Sequence, residues 1–517
     1  MRKNGVLLHI TSLPSKYGIG TLGQEAFNFI DFLKRSHQQL WQVLPLGPTS
    51  YGDSPYQSYS TFAGNPYLID LDLLEKDGLL KPEEFKDLQW YEEEDRVDFG
   101  RMYNLRYKVL DKAVERFLAN PPKDYAQFLE DEKDWIEDYA LFMSLKDKHE
   151  GKPWLEWDAK YRKYDAKKAE AWKEEFKDRM DYYKVLQYLF YKQWRAVRKY
   201  ASENGIQIIG DLPIYVAQDS VDAWSNPELF VFDEDGKPSL VAGCPPDGFS
   251  ADGQLWGNPI YDWKYHKKTG YDWWIRRIAH TTEVYDILRI DHFRGFDSYY
   301  AIPAGATTAK VGEWLEGPGM DLFNAVEKKL GKKTIIAEDL GYLTPSVKKL
   351  LADTGYPGMK VLEFAFDSRD GSGAEYLPYN YPKNCVAYAG THDNDTIRGW
   401  FDTISPEDKK YACDYMDAYN PDEYNWEMMR TVIASPADTT LVQAQDLLNL
   451  DSSSRMNTPG RLGGNWTWRL KPGQLNDDIE GTLRWVTDLY GRGPVVKKPE
   501  TDTEDKEHVE EVVTAAD

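Results

Sequence analysis

The sequence predicts a closed parallel barrel of eight β-strands alternating with α-helices, a (β/α)8 TIM-barrel fold. Three observations lead there. Eight short apolar runs rich in β-branched residues end abruptly in polar residues, Gly or Pro, as strands buried on both faces do. Helical periodicity fills most of the gaps between them. Strict alternation of the two closes a parallel sheet, with an open doubly wound sheet as the alternative.

The strand runs are, in order, residues 5–11 (GVLLHIT), 40–46 (LWQVLPL), 207–212 (QIIGDL) and 287–292 (ILRIDH). The second four are 334–340 (TIIAEDL), 358–366 (GMKVLEFAF), 385–392 (CVAYAGTH) and 440–446 (TLVQAQD). Helices are expected over 23–35, before the second strand, and over 181–204, where Tyr182, Leu186, Phe190 and Trp194 repeat at every fourth position. Two more are expected over 320–330 and 344–354, stopped by Gly331 and Gly355 as C-terminal caps. Two gaps are too long for one helix. Residues 51–180 open with YGDSPYQSYSTFAGNPY and continue as charged, Trp-rich amphipathic patterns at 102–118 and 131–148, which predict a large helical insertion after the second strand. Residues 216–268 contain CPPDGFSADGQLWGNP, whose Pro and Gly punctuation predicts a loop-rich insertion after the third. Such loops often serve as lids or binding loops. The expected organisation is one catalytic domain, 1–494, followed by an acidic disordered tail at 495–517.

Composition narrows the functional classes. The 517 residues carry a formal net charge of −23, which disfavours nucleic acid, because phosphate backbones repel such a surface, but not neutral sugars. The 18 Trp and 35 Tyr supply flat rings with polar edges, which suit sugar faces as well as core packing. Cys244, Cys385 and Cys413 form neither a disulfide framework nor a metal-binding spacing. The first apolar run is too short for a signal peptide, and no stretch is long enough to span a membrane. A cytoplasmic protein with no membrane partner is expected.

Working groups in such a barrel sit at the C-terminal ends of strands. Those ends carry Asp211, Arg289 with Asp291 and His292, Glu338 with Asp339, and His392 with Asp393. Each has a plain structural reading: an ion pair for Arg289 and Asp291, a helix cap for Glu338-Asp339, a polar turn for the others. Carboxylates are costly to desolvate, so their arrival on four strand ends of one barrel is more specific than any member. Two carboxylates flanking one bond are what glycosidic cleavage needs. Arg289 shares a strand face with Asp291 and stabilises its anion, making Asp291 the better nucleophile. Glu338 has no base within its own strand end and should keep its proton longer, as a general acid. Asp393 would stabilise positive charge at the anomeric centre or grip ring hydroxyls, and His392 would donate to sugar oxygens. A divalent ion on these groups is the rival, but no HExxH, EF-hand or Cys/His cluster accompanies them and Arg289 opposes a cation. No metal and no cofactor is expected.

At these residues the chain resembles a known family. RIDHFRGF (289–296), AEDLG (337–341) and THDND (391–395) look like the nucleophile, acid/base and transition-state-stabiliser motifs of the α-amylase clan. SLP (12–14), DSPYQSY (53–59), GDLPIY (210–215), LWGNP (255–259) and RMNTPGRLGGNWTW (455–468) bring it closest to the 4-α-glucanotransferases, the amylomaltases or disproportionating enzymes. The resemblance covers about residues 1–490. It implies Asp291 as nucleophile, Glu338 as acid/base and Asp393 as stabiliser. Arg289 and His392 would hold the sugar at the cleavage point with Asp211 nearby, and Tyr56, Gln254, Trp256 and Asn465 would contact glucan. It also implies no C-terminal β-sandwich.

The expected reaction is a retaining double displacement through a covalent glucosyl-aspartate, moving α-1,4-glucan segments between maltodextrins, with glucose also an acceptor. The residues alone leave hydrolysis open, because the two reactions share their first half. A transferase would need aromatic acceptor platforms and a lid limiting water, for which Tyr51, Tyr56, Tyr59, Phe249 and Trp256 are available. A non-catalytic glucan-binding protein would need a lost carboxylate, and none is lost. The protein is expected as a monomer or homodimer.

Overall fold

A computed structural model describes residues 2–50, 52–246, 252–341, 343–367 and 372–494. Among them twelve strands occur: β1 (Lys3–Leu7), β2 (Leu40–Gln42), β3 (Gln207–Pro213), β4 (Leu240–Cys244), β5 (Gln254–Pro259) and β6 (Ile287–Asp291). The rest are β7 (Ser298–Pro303), β8 (Glu313–Glu316), β9 (Ile335–Ala337), β10 (Gly358–Val361), β11 (Cys385–Tyr388) and β12 (Thr439–Gln443). Eight of them form one parallel sheet in the order β10-β11-β12-β1-β2-β3-β6-β9. These are the eight runs read from the sequence. Most of the strands stop before their runs do, because the chain leaves the ladder at the barrel mouth to present polar residues.

The sheet closes between β9 and β10 without a ladder. The Ala337 N–H donates to Pro357 O at 2.9 Å. The Met359 N–H donates to the Asp339 carboxylate at 2.6 Å. One backbone bond and one side chain thus span the seam in place of a ladder. Gly358 is required beneath it, since a Cβ there would lie 2.6 Å from that carboxylate. The barrel interior is filled from every strand, by Leu7, Leu40, Ile209, Ile287, Ile336 and Leu441 and by two residues each from β10 (Met359, Val361) and β11 (Val386, Tyr388). It is a packed core, so ligands must bind at its mouth.

The helices follow their sequence signals. Gln24–Arg35 starts after Gly23, and Met320–Leu330 stops at Gly331. Pro345–Thr354 has Thr344 as its side-chain N-cap and ends at Gly355 in the left-handed region, φ 69°. The insertion after β2 is helical, with Tyr107–Ala119, Tyr125–Asp131 and Lys133–Lys148 packed beside the 27-residue helix Lys177–Glu203. Within the segment read as loops, β4 and β5 form antiparallel strands. They join β7 and β8, from the connection after β6, in a sheet of order β5-β4-β7-β8.

Two buried arginines tie the parts together. Arg277 donates to the carbonyls of Pro213 and Ile214 beyond β3, to Thr61 in the helical insertion and to the Tyr261 hydroxyl in the second. Arg492 donates to the carbonyls of Lys3, Ile433, Ser435, Ala437 and Asp438, locking the start of β1 to the approach to β12. β1 and β12 pair directly, Lys3 opposite Thr439. No helix among the described residues is long and apolar enough to cross a membrane.

Candidate active site

The register of β3 and β6 sets Asp211 beside Arg289 and Pro213 beside Asp291. Arg289 alternates with Asp291 on one strand, so both side chains face the same way. Its Nη1 lies 2.6 Å from Asp211 Oδ2 and 3.0 Å from Asp291 Oδ1. The Asp211 side chain is fully buried, whereas that of Asp291 is 27% exposed. One guanidinium therefore joins a structural carboxylate to a reachable one. Burial pushes the Asp211 carboxyl up, and Arg289 opposes that. The paired carboxylates hold the Arg289 guanidinium in its charged form despite its burial.

Glu338 follows β9, next to β6. The Glu338 N–H donates to Ile290 O and the Phe293 N–H to Glu338 O, both at 3.0 Å. These bonds lock its backbone against the residues around Asp291. Its side chain is pinned as well. The His292 N–H donates to Oε2 at 2.8 Å and the Leu340 N–H to Oε1 at 2.7 Å. His292, directly after Asp291, adopts φ 52°, ψ 48°. A non-glycine residue in this left-handed region is strained, and the strain accompanies a turn that aims its amide at Glu338. Burial, and then the negative charge of Asp291, push the Glu338 carboxyl up to about 8, against the pull of Arg289 and the two amides. One carboxylate is thus paired with an arginine while its neighbour retains a proton at neutral pH, the division of labour that glycosidic cleavage demands.

Tyr56 reaches this group from the helical insertion. Its hydroxyl lies 2.8 Å from both Asp211 Oδ2 and His392 Nε2. The Tyr56 and His392 rings stack at 5.3 Å, 12° from parallel, with Trp466 at 5.8 Å from Tyr56. Beyond His392, Asp393 is held by a distant loop. Asn457 Nδ2 donates to Asp393 Oδ1 at 2.7 Å, and Arg455 Nη2 to its carbonyl at 2.5 Å. The Asp393 side chain remains 43% exposed.

The structure brings together Asp211, Arg289, Asp291, Glu338, Tyr56, His392 and Asp393 through one network of bonds and charges. Trp256 lies against the rim of this cluster, its ring edge-on to His292 at 4.8 Å, and its Nε1 donates to Gln254 Oε1 at 3.1 Å. Among the described residues no hydrogen bond joins Gln254 to the carboxylates. Asn465 spends its amide on its own loop, accepting from the Thr458 N–H and donating to Arg461 O. Tyr59 packs against Phe142 at 6.3 Å and under the Lys146 ammonium at 4.9 Å. These are packing contacts, the alternative that the sequence left open for it. Tyr51, Phe249 and the tail 495–517 lie outside the described residues. Sequence reasoning missed Asn457, Arg455 and Trp466, although all three lie in the quoted run 455–468. Among the described residues no group of three or more His, Cys, Asp or Glu is arranged to hold a metal ion.

Comparison with known proteins gives the family and the fold. A family model described as 4-alpha-glucanotransferase matches residues 8–476. A 4-alpha-glucanotransferase of Clostridium butyricum is 48% identical over 489 residues, covering 94% of this chain and 100% of its own. One of Thermus thermophilus is 45% identical over 502 residues, covering 95% and 99%. Among solved structures, an amylomaltase from Streptococcus agalactiae in complex with acarbose superposes with a TM-score of 0.93 at 45% identity, over 96% of this chain and 100% of that one. The amylomaltase from Corynebacterium glutamicum, 18% identical, shares the fold with a TM-score of 0.76 over 94% and 75%.

Proposed function

This chain belongs to the 4-alpha-glucanotransferase family, and from that premise we propose that Asp291, Glu338 and Asp393 perform its transfer of α-1,4-glucan segments. The observation that carries the assignment is the opposed pair at the barrel mouth. Asp291 is bound to Arg289, and Glu338 is held beside it by the next peptide and kept protonated. In the first half-reaction Glu338 gives its proton to the glycosidic oxygen as that bond breaks. The Asp291 carboxylate forms a bond to carbon 1, leaving a glucosyl ester and a Glu338 carboxylate. In the second, Glu338 takes the proton of an acceptor hydroxyl. The acceptor oxygen then displaces Asp291, and configuration at carbon 1 is retained. Asp393 faces the positive charge that develops at the sugar ring in both steps. Arg289 keeps a positive charge against Asp291 throughout, so the ester's departure is assisted.

Asp211 anchors Arg289 and Tyr56, while Tyr56 and His392 form a flat wall that sugar can lie against. Trp256 extends it at the rim, and Gln254 and Asn465 shape the loops that carry the outer sugars. The donors and acceptors are maltodextrins, with glucose as the smallest acceptor. We place the chain in the cytoplasm, which fits an odd, scattered set of three cysteines, as a single domain over 1–494 and a monomer or homodimer.

Incubation of the pure protein with maltotriose tests the reading. A ladder of longer maltodextrins with free glucose is expected. Shorter products alone would mean hydrolysis and overturn transfer. Acarbose, held by the Streptococcus agalactiae relative, is expected to bind here and to slow the formation of that ladder in competition with maltotriose.

A further inference from the structure

β5 leaves the register of its neighbour beside the active site. Val241 of β4 faces Pro259 and Gly243 faces Leu255, so Trp256, Gly257 and Asn258 of β5 stand opposite the single residue Ala242. The extra length bulges out of the ladder, and Gly257 makes the turn at φ 76°, a conformation that favours glycine. Backbone pairing therefore does not set where these three residues lie, and side chains must do so. Trp256 meets the His292 ring, and its Nε1 bonds Gln254.

Asn258 fixes the other end of the bulge. It is buried, and its Nδ2 donates to Val216 O at 2.8 Å. Its Oδ1 is left as an acceptor and lies 3.2 Å from Gln57 Nε2, so Gln57 is the donor. Gln57 follows Tyr56 directly, and its own peptide is held in the turn. The Gln57 N–H donates to Ser54 O at 3.1 Å, and the Ser50 N–H to Gln57 O at 3.0 Å. One amide pair thus joins the segment that carries Tyr56 to the bulge that carries Trp256. These two rings come from different insertions and both reach the strand-end cluster.

We propose that Gln57 and Asn258 are positioning residues that set Trp256 relative to the Tyr56 wall, and that this spacing decides how well an acceptor sugar competes with water for the glucosyl ester. Hydrolysis and transfer diverge only at that ester, where the oxygen of either can displace Asp291. A sugar held by the two rings presents its hydroxyl in a fixed orientation, an advantage that water does not share. Loosening the rim therefore slows transfer more than it slows hydrolysis. The proposal rests on the transfer reading above and names the residues behind its selectivity.

Gln57→Met keeps the length of the side chain and removes the donor, whereas Gln57→Lys keeps a donor. Both lose the Gln57 carbonyl, so a difference between them reports the bond to Asn258 alone. Transfer leaves the number of reducing ends unchanged and hydrolysis adds one per bond cleaved. With maltotriose, the ratio of new reducing ends to longer maltodextrins is expected to rise about three- to tenfold in Gln57→Met, the effect of one lost hydrogen bond. Gln57→Lys should stay within about twofold of the parent by the same reasoning. Asn258→Ala should at least match Gln57→Met, and the double variant should be no worse than Asn258→Ala, because both remove one interaction. Acarbose affinity, measured by calorimetry, should weaken in the same pattern and needs no turnover. Equal effects in Gln57→Met and Gln57→Lys, or effects that multiply in the double variant, overturn the proposal. So does an unchanged ratio with a lowered Tm, which would mark the pair as packing only. The comparison of Met with Lys decides the matter even where Asn258→Ala, which strands Val216 O, fails to fold. A parent that makes no ladder would defeat the transfer reading by itself, and the acarbose pattern would still decide whether the pair sets the pocket.

Discussion

At the scale of single residues, chemistry depends on Asp291 and Glu338 holding opposite protonation states. Asp291→Asn keeps the shape and removes the nucleophile. Its maltotriose turnover is expected to fall by three orders of magnitude or more, on the order of what covalent catalysis contributes, with Tm close to the parent. Glu338 sets the alkaline limit. Its acid form is needed for the first step and is lost above about 8. The rate with saturating acceptor should therefore decline about tenfold per pH unit beyond that point. The same shift affects stability with a definite sign. A carboxyl raised on folding binds more proton in the native state than in the unfolded one between its two pKa values, so stability falls as pH rises through that interval. Glu338→Gln removes the liability and is expected to melt higher than the parent at pH 9, with no such gain at pH 4. The sequence showed these residues because carboxylates at the ends of apolar strands are conspicuous. Asn457 was not conspicuous. It lies 64 positions from Asp393 along the chain, in a loop with no periodicity to place it.

At the scale of elements, the barrel seam is the exposed point. β9 and β10 meet through the Ala337–Pro357 backbone bond and the Asp339 side chain, one residue after Glu338. Asp339→Ala strands the Met359 amide, at a cost of about 1–3 kcal/mol for a buried donor left unpaired. It should also lower kcat, since Glu338 loses its flanking anchor. Urea unfolding and maltotriose kinetics on the same preparation check both halves. All eight barrel strands were legible, because burial on both faces leaves an unbroken apolar run. The caps at Gly331 and Gly355 were legible from local chemistry, whereas Thr344, read as the first helical residue, is the N-cap. β4 and β5 were not, because both are short and broken by Gly, and β5 is partly exposed and ends at Pro259. Their partners β7 and β8 come from a different connection, and nothing local announces pairing at that distance.

At the scale of the whole molecule, insertions and barrel act as one body around Arg277. Arg277→Met would leave the carbonyls of Pro213 and Ile214 without that donor. A loss of about 1–3 kcal/mol is expected, roughly that of one unpaired buried acceptor, because the Tyr261 hydroxyl still donates to Ile214 O. Thermal melting should show it together with a raised KM, because the Tyr56 wall belongs to the insertion that Arg277 ties down through Thr61.

The pairing of β1 with β12, sealed by Arg492, also constrains how the protein comes into being. Lys3 finds Thr439 across 436 intervening steps of synthesis. At the roughly 5–20 residues per second of a ribosome, the first strand emerges about 20–90 s before its final neighbour exists. Throughout that wait one apolar edge of β1 has no native partner, so the nascent chain is a natural client for chaperones. Trimming the 3′ end of the message to halt synthesis short of β12 should yield a species that aggregates.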